Sequence, residues 1–169
     1  TVIHDEAQAP PHALGTCFAY LVENNILNDL VSLCLPDEPL GILDEFLRMC
    51  TTLVRHIHVP WFLANEGVAH ALLQLLRSCN KKQQKPPGLV ELVYALCARI
   101  HQQPDTLRVL VQLGAQLPKE RPADRFPLMT CIVRHITMDG PSGRHMRTSL
   151  VWVMHALLTL GCLLYTSPS

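Results

Sequence analysis

The chain has 169 residues, of which 49% are hydrophobic and 17% charged. It is too apolar for a disordered segment, which cannot bury enough surface to offset chain entropy, and it is long enough to fill one compact core. Fourteen Lys and Arg balance fourteen Asp and Glu. No long-range pull toward phosphate backbones or anionic lipid is therefore expected, and nucleic acid is set aside as a partner.

Residues 1–14 carry no sustained pattern and read as a poorly ordered lead-in to a helical domain spanning 15–161. Helices are predicted over 15–23 and 25–35, up to the breaker Pro36-Asp37-Glu38-Pro39. A third follows over 39–57, with Leu43, Phe46, Leu47, Cys50, Val54 and Ile57 on one face. After the Val59-Pro60 step, Val68, Leu72, Leu75, Leu76 and Cys79 mark a helix over 66–79. The run Lys81-Lys82-Gln83-Gln84-Lys85 then reads as a solvated linker. Leu89, Leu92, Val93, Leu96, Cys97 and Ile100 define a helix over 87–102, with Glu91, Arg99 and Gln102 on other faces. Helices over 104–115, 126–138 and 142–162 complete the set. Pro39, Pro104 and Pro141 fit first turns, where the missing N–H costs nothing.

The chain is thus all-α, with about eight helices and no period-two alternation. A degenerate Leu-(Val/Leu)-x-Leu tetrad starts at Leu30, Leu72, Leu110 and Leu157, with an extra copy out of phase at Leu89. This spacing matches two-helix units of about 40–47 residues and predicts an armadillo/HEAT-like stack, an α-solenoid. The apolar run from Leu150 to Tyr165 is shorter than the roughly 20 residues of a spanning helix and reads as a buried helix with an apolar tail.

Chemistry is sparse. The seven cysteines are scattered among leucines and valines with no C-x-x-C pair, the pattern of reduced, buried thiols in a cytosolic protein. Cys97 and His101 lie four apart on one helix, and Cys131 and His135 on another. The four side chains would suit zinc only if folding gathered them, and the preferred reading is two core thiols with histidines at helix edges. There is no G-x-S-x-G elbow and no Walker loop, and the pairs Asp37-Glu38 and Asp44-Glu45 read as helix-start charges. No catalytic residue, metal or cofactor is assigned, and no enzyme activity is expected. Trp61 and Phe62 follow Pro60 in a connection. They read either as an exposed partner-binding anchor or as a plug between helices.

Five stretches together carry a resemblance: Phe18 to Leu33 (FAYLVENNILNDLVSL), Leu35 to Gly41 (LPDEPLG), Val68 to Cys79 (VAHALLQLLRSC), Glu91 to Ile100 (ELVYALCARI) and Phe126 to Gly140. In this order the chain resembles the amino-terminal region of the FTS- and Hook-interacting proteins, also called retinoic-acid-induced-sixteen-like, over residues 12–160. The resemblance implies a helical-repeat scaffold without enzymatic activity. Its implied partners are a Hook-type coiled-coil adaptor, an FTS-like protein and a Rab GTPase, in a complex that links endosomal or other vesicular cargo to dynein. It would be cytoplasmic and reach membranes only through partners. A generic armadillo-like domain with unrelated protein clients is the alternative. Members of the family are longer, so the chain is expected to be a piece of such a scaffold. Residues 162–169 (CLLYTSPS) resemble translated sequencing-adapter sequence and are set apart as a non-native tail.

Overall fold

A computed structural model of the chain describes residues 16–58, 61–116 and 125–166. The expected lead-in over 1–14 lies outside them. Among the described residues there are nine helices and no strand: α1 Thr16–Glu23, α2 Ile26–Cys34, α3 Ile42–His56, α4 Trp61–Ala64, α5 Glu66–Lys81, α6 Gly88–Gln102, α7 Asp105–Gln116, α8 Pro127–His135 and α9 Gly140–Thr166.

Local chemistry sets several boundaries. The Asn65 side chain accepts from the Val68 amide at 3.1 Å, capping α5. Asp37 bends over the start of α3 and accepts from the amides of Gly41 (2.9 Å) and Leu43 (3.0 Å). Gly41 can sit at φ 96 there because it lacks a Cβ. Pro127 opens α8 and Pro141 lies in the first turn of α9, while Pro104 immediately precedes α7. Pro39 departs from its expected place: it precedes α3 by three residues, follows a cis peptide bond, and its carbonyl receives the Ile42 amide.

The helices group as three triplets, α1–α3, α4–α6 and α7–α9, in which the second and third helices of successive triplets pack on one another. α6 packs most extensively, against α3 on one side and α9 on the other; α5 likewise meets α2 and α8, and α4 meets α7. Among the described residues no extensive contact joins the first triplet to the third. The all-α fold is as expected, with the helices packed on one another, and their contacts group them in threes where pairs were expected. The leucine tetrads mislead because they mark amphipathic helices in general. They fall on α2 and α5, which are equivalent, but then on α7 and α9, which are not.

One continuous core runs through all three triplets, with Leu47, Leu73, Leu75, Leu89, Leu92, Leu96, Ile100 and Leu107 fully buried. Two further expectations change. Arg99 is buried between helices: its Nη1 donates to His58 Nδ1 at 2.8 Å, and burial lowers its pKa. α9 runs to Thr166, through the first five residues of the expected tail. It is buried on one side only, with Val151, Met154, Leu157 and Leu158 exposed on the side away from α6. No helix among the described residues is long and apolar enough to cross a membrane.

Replacing Leu96 by Ala should lower the unfolding free energy by about 2–5 kcal/mol, because a cavity opens where α6 is enclosed. Val151→Ala, on the exposed side of α9, should change it by no more than about 0.5 kcal/mol. Urea denaturation of the two variants checks the contrast.

Candidate protein-interaction face

The third helices of the triplets, α3, α6 and α9, lie side by side and present one surface. Gly88 lets α6 begin hard against α3. Its amide donates to Asp44 Oδ1 at 2.7 Å, and a Cβ at this position would sit 2.9 Å from that oxygen and 3.1 Å from Leu47 Cβ. Asp44 also pairs with Arg48 at 3.0 Å. Outside this contact an open groove of about 350 Å³ is lined by Arg48, Thr51, Thr52, Arg55, Pro87 and Glu91.

Glu91 links the three helices. Its Oε2 accepts from Arg55 Nη2 of α3 at 2.9 Å, and its Oε1 lies 3.2 Å from His145 Nδ1 of α9. The second contact is an ion pair only when His145 is protonated. From His145 a ladder of rings follows the α6–α9 seam. The imidazole stacks on Tyr94 with centroids 4.1 Å apart, and Tyr94 meets Trp152 at 5.3 Å. Trp152 stacks on His101 at 5.5 Å, and His101 reaches His155 at 6.4 Å. Glu91, Tyr94 and His101 share one face of α6, and His145, Trp152 and His155 share one face of α9, through the helical spacing of three, seven and ten. The seam is half-exposed and combines Trp, Tyr and Arg, the side chains that dominate binding hot spots. The surface suits protein recognition by ring faces and hydrogen-bond donors.

The pair singled out in the sequence behaves differently. Phe62 is 1% exposed and packs on Phe18 with ring centroids 5.4 Å apart, so it plugs the core between α1 and α4. Trp61 begins α4, and its side chain lies outside what is described. The α6–α9 seam escaped sequence reasoning because its contacts join residues 51 to 58 apart, as in Tyr94–His145 and Tyr94–Trp152. Its only local trace is the recurrence of polar aromatics at helical spacing on the less apolar side of each helix.

Of the four zinc candidates only Cys131 and His135 touch, Sγ to Nδ1 at 3.6 Å along one helix. His101 lies against Trp152, while His135 is buried with its Nδ1 2.8 Å from its own helix's Cys131 carbonyl. Among the described residues no group of three or more His, Cys, Asp or Glu side chains is placed to hold a metal ion. The thiols of Cys34, Cys50, Cys79, Cys97 and Cys131 are free and buried. Burial pushes Cys50, Cys97 and Cys131 up to about 12 and Cys79 to about 11. They are neutral and unreactive at physiological pH.

A family profile described as "Retinoic acid induced 16-like protein" matches residues 17–164. The chain belongs to this family. The retinoic acid induced 16-like family includes the FTS- and Hook-interacting proteins, in agreement with the resemblance drawn from the leucine-rich stretches. No curated protein and no solved structure matches the chain. In this member of the family, the residues described on the α3–α6–α9 face, from Asp44 to His155, lie within the matched span.

Two outcomes follow for the seam and the thiols. A double-mutant cycle on Tyr94→Ala and Trp152→Ala should return a coupling of about 0.5–1.5 kcal/mol, the size of an aromatic pair. The raised thiol pKa values should make the fold sensitive to alkali. Unfolded thiols ionise near 9.0 and buried ones only near 11–12, so their contribution is fully present below pH 9 and is lost as pH rises toward 12. Urea midpoints measured from pH 8 to pH 11 should fall, and less steeply in a Cys97→Ala variant.

Proposed function

We propose that the chain is a non-enzymatic protein-interaction scaffold that works in a Hook/FTS-type adaptor complex, linking endosomal or other vesicular cargo to dynein. Family membership over residues 17–164 is the observation that carries this reading. The fold supports it physically, since a stack of helix triplets offers extended surfaces in place of an enclosed reaction site. The α3–α6–α9 face, with its groove beside Arg55 and Glu91 and the ring ladder through Tyr94 and Trp152, supplies a surface of the right chemistry. Partners by this reading are a Hook-type coiled-coil protein, an FTS-like protein and a Rab GTPase. The complex works in the cytoplasm, on the cytosolic face of vesicles.

The test is co-precipitation from cells in which the protein is tagged at its own locus, with detection of Hook and FTS homologues. Recovery of both is the expected result. Reproducible absence of both, with unrelated proteins recovered instead, would replace the adaptor reading by that of a general armadillo-like binding domain. Substituting Tyr94 and Trp152 together by Ala should reduce recovery at least tenfold if this face is the docking surface.

A further inference from the structure

α9 carries two rows of side chains on opposite sides. Met146, Ser149, Val153 and Ala156 repeat at three and four and are buried, on the side that packs against α6 and its neighbours. A second row, Arg144, Arg147, Val151, Met154 and Leu158, has the same spacing about half a turn away and is exposed throughout. Val151, Met154 and Leu158 are each more than half exposed. A single exposed leucine is ordinary. Three apolar side chains at successive positions of one row form a face.

The side-by-side row of α3, α6 and α9 is closed at one end and open at the other. α3 exposes Glu45, Arg48, Thr52, Arg55 and His56 and no large apolar side chain. That is the polar outer surface that terminal units of a helical array present. α6 exposes only His101 and Gln102, having a helix on each side. α9 is apolar on two sides as α6 is, and one of these sides faces solvent. Covering it would continue the packing that already joins α3 to α6 and α6 to α9.

The pattern selects what can cover it. Spacing of three and four averages 3.5 residues, the seam of helices that wind about each other. A bilayer surface asks for a broader apolar face than one row. α9 has no Asp or Glu among its 27 residues, so the seam opens with positive charge alone. Arg144 has no ion pair among the described residues. Arg147 gives one of its several donors to the Ile136 carbonyl at 3.1 Å. A second copy of α9 would bring no carboxylate to these arginines.

We propose that the outer side of α9 docks an acidic heptad-repeat helix of a partner protein. Its apolar positions pack between Val151, Met154 and Leu158, and its carboxylates pair with Arg144 and Arg147. This side is separate from the ring ladder, which follows the α6 seam, and the proposal stands independently of the adaptor reading.

The experiment uses the full chain and two peptides of about four heptads with leucine at both seam positions. One carries glutamate at the flanking positions and the other lysine; like charge keeps each from pairing with itself at neutral pH. Saturable binding of the glutamate peptide, with a gain of helical circular dichroism, is expected, and the lysine peptide should bind at least about tenfold more weakly. Met154→Glu with Leu158→Glu should weaken the glutamate peptide at least about tenfold at an unchanged melting temperature, since both side chains are exposed. Arg144→Glu should narrow the preference for glutamate over lysine. Val111→Glu, at an exposed apolar residue of α7, should leave binding as it was. Absence of saturable binding would overturn the proposal, as would equal binding of the two peptides. So would self-association of the chain in sedimentation that the double substitution abolishes, which would make a second copy the occupant. Capture by phosphatidylserine vesicles without peptide binding would assign the face to a membrane and overturn it equally.

Discussion

The structure depends on the double enclosure of α6. Its Leu89, Leu92, Val93, Leu96, Cys97 and Ile100 are all fully buried, so the helix is apolar around most of its circumference and needs a neighbour on each side. α3 and α9 provide them. At about 25 cal/mol per Å² of apolar surface removed from water, no polar contact in the molecule approaches what this sandwiching contributes. Everything on the candidate face inherits its position from that burial, because Glu91, Tyr94 and His101 project from the one strip of α6 left open.

The polar features then refine what the core has fixed. The Glu91 contacts to Arg55 and His145 are between half-exposed groups, where each pair is worth at most about 1 kcal/mol. Their role is registry between three helices more than stability. The Gly88 amide on Asp44 acts similarly, setting how closely α6 begins against α3. Rings stacked along the seam are held from both helices at once, which keeps their side-chain entropy low before any partner arrives.

Periodicity made most of this fold legible. Apolar spacing at three and four located eight of the nine helices, several to within two residues at each end, because burial of one face is what both creates the pattern and forms the helix. The four-residue α4 left no such trace, since one turn cannot display a period. Repeat length failed for a different reason: leucine tetrads report amphipathic helices, whereas the triplet unit is a property of which helices touch. The candidate face was the least legible part. Phe62 drew notice as an aromatic beside a proline and proved to be core, while Tyr94 and Trp152 acquire meaning only through a contact between helices far apart in sequence. Arg99 shows the same limit, for its burial is decided by His58 and the end of α3 and not by its own neighbours.

Among the described residues the first and third triplets share no extensive contact, which has a consequence for cooperativity. Stability in such an array is a sum of local terms and nearest-neighbour interfaces. Either outer triplet can therefore open while the rest stays folded, but the middle one cannot open without breaking both interfaces. Amide protons of α5 and α6 should thus be the slowest to exchange, and the chain should behave as a rigid centre with two ends that breathe separately. A ligand that spans α3, α6 and α9 would fasten both ends to that centre at once, and would make the array unfold as a single unit.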